Sequence, residues 1–154
     1  ALITGEDLTK WHETEIWQKK IEKSKKGVVT TFNSRQKTSA RMVSTALSTI
    51  SQSRQVSLSH KKIKNDGFKN KFEFEKYVDE LLIEQDQICA LTEISMILDG
   101  DDGNHELHCS LDRIDSDIGY EVGNLQIVCK FANRWKSNSD DKKFKELISL
   151  IKSN

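Results

Sequence analysis

Asp112 and Asn133 are residues of this chain whose types and order could hold a hard cation beside a phosphate. From residue 106 to 137 the pattern reads strand, loop, strand, helix. Glu106 to Leu111 is strand-like and runs into Asp112-Arg113-Ile114-Asp115. Gly119-Tyr120 and Gly123-Asn124 punctuate a connection, Leu125 to Cys129 makes the second strand, and Phe131 to Lys136 turns helical. An aspartate therefore ends the first strand and an asparagine starts the helix. If the hairpin folds back and the helix packs across it, two oxygen ligands from non-adjacent elements converge. Oxygen ligation with positions left for water and phosphate suits Mg²⁺, Mn²⁺ or Ca²⁺ rather than zinc. Such an ion can stabilise the departing oxygen of a phosphodiester transition state. Standing alone, Asp112 reads more readily as a turn or cap aspartate.

The wider run changes that reading. Ser110-Leu111-Asp112-Arg113-Ile114-Asp115-Ser116, Gly119-Tyr120, Gly123-Asn124, Val128-Cys129 and Asn133-Arg134-Trp135-Lys136-Ser137 together resemble the HNH, or His-Me finger, endonucleases. The likeness is to a phage and bacterial branch and spans roughly Gln87 to Ile148. It implies a ββα-metal core and divalent-metal cleavage of DNA, less often RNA. By that resemblance Asp112 and Asn133 are the metal ligands and Asn124 braces the loop by hydrogen bonding.

One position departs from the family. Its general base is a histidine directly after the metal aspartate, and here that residue is Arg113. A guanidinium cannot accept a proton near neutral pH, but it can clamp a phosphate. His108 is the nearest replacement base, because residues 108, 110 and 112 point to one side of a strand. His105 comes next, and both equally fit surface or hairpin histidines. Asp115 is a further polar candidate that fits a turn-shaping role. The expected nucleic-acid contacts are Arg113, Arg134 and Lys136, with Lys61 and Lys62 from the basic half. A module that grips DNA without cleaving it is the alternative.

Relatives of this kind often carry a zinc held by two Cys-x-x-Cys pairs. Here Cys89 and Cys129 would face Thr92 and Ala132 in place of the second thiols, so no structural zinc is expected. Cys89 and Cys129 read as small core residues. Flanking helices must then stabilise the small unit.

Those helices are visible as periodicity. Phe74, Tyr77, Val78, Leu81 and Leu82 form one apolar face between about Phe72 and Gln85. A last helix from about Ser139, capped by Ser139 or Asp140, carries Phe144, Leu147, Ile148 and Ile151 on one face. Upstream, helices are expected from Glu6 to about Lys23 and from about Thr38 to Ser51. A short strand around Val56 and Leu58 and a turn at Asn65-Asp66-Gly67 follow. The expected class is α+β: a ββα-metal core with flanking helices, residues 72–154, behind a mostly helical basic region, residues 1–71.

Charge supports the division. Residues 1–71 hold 15 Lys and Arg against 6 Asp and Glu, whereas residues 72–154 hold 9 against 18. A basic half beside an acidic half suits a phosphate grip next to a cation site, and equally two solvated surfaces of opposite sign. The chain is 36% hydrophobic and 31% charged, without proline, and no apolar run reaches the ~18–20 residues that span a bilayer. The first residues lack the pattern of a secretion signal. Three widely spaced cysteines argue against a disulfide framework. The sequence reads as that of a soluble cytoplasmic protein with DNA as partner and no membrane.

Overall fold

The computed structural model describes residues 32–56 and 67–153, together with positions 18, 19 and 22. The chain divides into two units, Ala1–Asn33 and Ser34–Asn154. In the first, positions 18, 19 and 22 are helical, and the rest of the helix expected there lies outside the described residues. So do Leu58, Lys61, Lys62 and most of the expected turn at residues 65–67.

Helix α1, Ser34–Val56, buries Met42, Val43, Ala46 and Ile50, which recur at helical spacing. It starts four residues before the apolar stripe predicts and ends five later. Thr38 and Ser39 extend the buried face although both are polar. Their hydroxyls donate to Ser34 O at 2.7 Å and Arg35 O at 3.1 Å, so burial leaves no donor unmet. Val56, read as strand-forming, is the last residue of this helix. The unit that begins at Ser34 includes α1, whose apolar face belongs to the same core as the C-terminal half.

Helix α2, Lys71–Glu84, is capped by Asn70, whose side chain accepts from Glu73 N at 2.8 Å. Phe74, Val78 and Leu82 point into the core. Arg35 bonds both oxygens of Asp79, at 2.8 and 3.2 Å, and ties α1 to α2. Beyond α2, Gln85 uses its amide as a short strand would. It donates to Ile127 O at 2.8 Å and accepts from Ile127 N at 2.9 Å. This closes the outer edge of the hairpin that follows.

That hairpin is β1, Cys109–Arg113, antiparallel to β2, Leu125–Cys129, with Asp112 opposite Gln126 and Cys109 opposite Cys129. The first strand begins three residues later than its sequence suggests. Asn104 caps a 3₁₀ turn over His105–Leu107, accepting from Glu106 N at 3.0 Å, and pulls those residues out of the strand. All five residues of β2 are buried. Helix α3, Lys130–Lys136, follows β2 without a loop. Helix α4, Asp141–Lys152, starts on Asp140, which accepts from Lys143 N at 3.0 Å. It buries Phe144 and Ile148, whereas Leu147 and Ile151 of the expected apolar face are exposed. No described helix is long and apolar enough to cross a membrane.

Candidate functional site

Asp112 stands at the end of β1 but does not face solvent. Its Oδ2 accepts from Lys136 Nζ at 2.6 Å and from Gln126 Nε2 at 2.9 Å. The Lys136 side chain is 1% exposed and that of Asp112 7%. The ammonium also reaches Arg113 O at 3.0 Å, Asp141 Oδ1 at 3.1 Å and Ile114 O at 3.4 Å. Gln126 Nε2 bridges Asp112 and Asp141, the latter at 2.8 Å. Burial raises the Asp141 carboxyl, but hydrogen bonds from Lys145, Lys136 and Gln126 outweigh it and hold the group below its ordinary value. Lys136, expected to touch nucleic acid, is instead enclosed where no phosphate reaches it.

Arg113 points away from this centre. Its Nη1 donates to Ser116 O at 2.7 Å and Ile118 O at 3.0 Å, and the guanidinium lies 5.3 Å from the centroid of the Tyr120 ring. It is committed to the loop between the strands rather than presented as a free phosphate clamp. Asn124 works on the same loop from the other end. Its Oδ1 accepts from Asp115 N at 2.9 Å, and its Nδ2 donates to Asp115 O and Gly119 O, each at 3.0 Å. Asp115 itself accepts from Asp117 N at 2.8 Å, the geometry of a turn-shaping aspartate.

Asn133 lies on α3 against β1. Its Nδ2 donates to Ser110 Oγ at 2.7 Å and Leu111 O at 3.3 Å. Asn133 and Ser110 line two neighbouring clefts. One, of about 140 Å³, includes Arg41, Thr45 and Tyr120. The other, of about 560 Å³, includes Lys130, Arg134 and Ser137. Arg41 is fixed by Asp99 Oδ2, 2.6 Å from its Nε, and by Cys109 O, 2.8 Å from its Nη2. The other Asp99 oxygen lies 3.7 Å from His108 Nδ1. His105 Nε2 is 3.1 Å from Lys130 Nζ, and the His105 and His108 ring centroids are 5.4 Å apart. Arg134 is exposed and pairs with Glu106.

No protein-family model, curated protein or solved structure matches the chain.

The residues at Asp112 do not fit a divalent ion as they stand. A buried ammonium already neutralises that carboxylate, and the Asn133 side chain is held by the hydrogen bonds its Nδ2 donates to Ser110 Oγ and Leu111 O. Among the described residues no group of three or more His, Cys, Asp or Glu side chains is gathered as a metal site. His108, four residues before Asp112 on extended backbone, is roughly 13 Å from it by strand rise. It belongs to the Asp99–Arg41 group instead.

Cys89 and Cys129 are buried free thiols, with Cys129 N donating to Cys89 Sγ at 3.3 Å. Their mutual side-chain hydrogen bond lowers the Cys89 thiol and raises that of Cys129. Thr92 and Ala132, which stand where further thiols would be, are buried as well.

Sequence reasoning missed the roles of Lys136, Gln126, Asp141, Arg41 and Asp99. A signal existed for one of them. Lys136 follows Asn133 by three residues, so both must face the hairpin if either does.

Proposed function

We propose that the chain is an HNH-type endonuclease acting on DNA, with the phosphate backbone running over the clefts that share Ser110 and Asn133. One observation carries the reading: Arg41, Lys130 and Arg134 surround these two residues, at the junction of a hairpin and the helix that follows it. Guanidinium and ammonium groups at such a junction attract phosphates and stabilise charge that builds during hydrolysis. His108 is the candidate base. A carboxylate beside its Nδ1 stabilises the ring once it has taken a proton from the attacking water, as Asp99 would here. The departing oxygen takes a proton from solvent or from a neighbouring cation. A divalent ion, which the resemblance implies, would stabilise that oxygen when bound, but Asp112 is already paired with Lys136. The reading places the protein in the cytoplasm with DNA as substrate.

The Asp112–Lys136 pair and the commitment of Arg113 to its loop favour a second reading, an HNH-like module that binds DNA without cutting it. Plasmid nicking by purified protein with Mg²⁺, with Mn²⁺ or with chelator separates the two. Nicking that falls at least tenfold in His108→Ala supports the nuclease. Salt-sensitive duplex binding with no nicking under any condition supports the binding module. Neither binding nor nicking would remove both readings.

A further inference from the structure

The Lys136 ammonium has only oxygen acceptors around it. Asp112 Oδ2 lies at 2.6 Å, Arg113 O at 3.0 Å, Asp141 Oδ1 at 3.1 Å and Ile114 O at 3.4 Å. Two carboxylates and two carbonyls make the donor set that hard cations prefer. Here the set comes from two separate pieces of chain, the end of β1 with the residue after it and the first turn of α4. The side chain filling it is 1% exposed. Lys145 Nζ, 3.0 Å from Asp141 Oδ2, completes the charge balance: two carboxylates against two ammonium groups.

We infer that Lys136 is the resident cation of this centre, filling an oxygen cage that a divalent ion would otherwise occupy, so that the chain takes no Mg²⁺ or Mn²⁺ on Asp112. Adding a doubly charged ion beside a buried ammonium would place like charges together without new ligands to compensate. Removing the ammonium reverses the situation. Asp112 is then uncompensated and Asp141 keeps only Lys145, with carbonyls beside them and Gln126 holding both carboxylates in place. A small oxygen-seeking ion is the natural occupant, and its ligands would be Asp112 and Asp141 rather than Asn133.

An enzyme and a binding module that does not cleave give the same ion-binding result. Mn²⁺ binding to the full chain is measured by electron paramagnetic resonance, with melting followed in parallel. The wild-type protein is expected to show no binding that Asp112→Asn removes. Lys136→Ala is expected to bind about one Mn²⁺ per chain, to melt higher when Mn²⁺ is added, and to lose both properties when Asp112→Asn is combined with it. If Lys136→Ala is unfolded without the ion, recovery of helical circular dichroism on adding Mn²⁺ is the expected result. Stoichiometric Mn²⁺ in the wild type that Asp112→Asn abolishes would overturn the inference whatever the variant does. A Lys136→Ala protein that neither binds Mn²⁺ nor is stabilised or refolded by it would overturn the cage.

Discussion

Lys136 Nζ sits 2.6 Å from Asp112 Oδ2 and joins the last turn of α3 to the end of β1, with both side chains almost wholly out of water. A buried pair of this kind is costly to break from one side, because the remaining charge keeps its desolvation penalty without its partner. Lys136→Met is therefore expected to destabilise the fold by about 3–5 kcal/mol. Combining it with Asp112→Asn should recover part of that loss, since the stranded carboxylate is gone. Urea unfolding of the two single variants and the double variant checks this; strictly additive losses would mean that the pair is not coupled.

The Asp141 carboxyl is held below its ordinary value by Lys145, Lys136 and Gln126 acting against burial. A depressed native value means stability that is complete above the unfolded pKa, ~3.9 for an aspartate, and is lost as pH falls through the lower native value. Wild type should therefore exceed Asp141→Asn in stability at pH 7, and the gap should close in acid. Unfolding free energies measured from pH 7 down to 2.5 test the sign; a gap that widens in acid would refute it.

Asn124 joins the two ends of the loop through one accepted and two donated hydrogen bonds. In Asn124→Ala the Asp115 N–H and Gly119 O lose this partner and Asp115 O keeps only Ile118 N, at an expected cost of about 1–3 kcal/mol. Amide exchange at Asp115 should accelerate, while exchange within α2 should change only as far as global stability falls.

Arg113 spends Nη1 on two loop carbonyls and stacks on Tyr120. Arg113→Ala should lower thermal stability, and Arg113→Lys should restore only part, because an ammonium lacks the planar fork. The salt slope of DNA binding should stay near wild type in both variants. Lys130→Ala and Arg134→Ala, which line the larger cleft, should each reduce that slope by about one. A reduced slope for Arg113→Ala with unchanged melting would return Arg113 to the role of phosphate clamp.

Cys89, Cys109 and Cys129 are free and buried, and burial pushes the Cys109 thiol up to about 12. Native protein should react slowly with a thiol reagent, and denaturant should release all three thiols. Rapid labelling of any one of them without denaturant would show that the core around β2 opens locally.

Local pattern in the sequence determined α2, β2 and the start of α4. The 3-4 spacing of Phe74, Val78 and Leu82 made α2 legible, and Leu125–Cys129 is a strand with the predicted bounds. Asp140, one of the two predicted caps, does cap α4. Such features depend on neighbours a few residues away, which a linear reading sees. The tertiary structure decided what each polar side chain does. Whether Asp112 is open to an ion or closed by an ammonium depends on Lys136, 24 residues later. Whether His108 serves Asp112 or Asp99 depends on how the chain before β1 turns. Thr38 joins the core only because its hydroxyl can donate to Ser34 O and accept from Asp99 N at 2.8 Å. Residue type sets what a group can bond, but burial and partner come from packing between distant segments, and these fix its charge balance and its access to solvent.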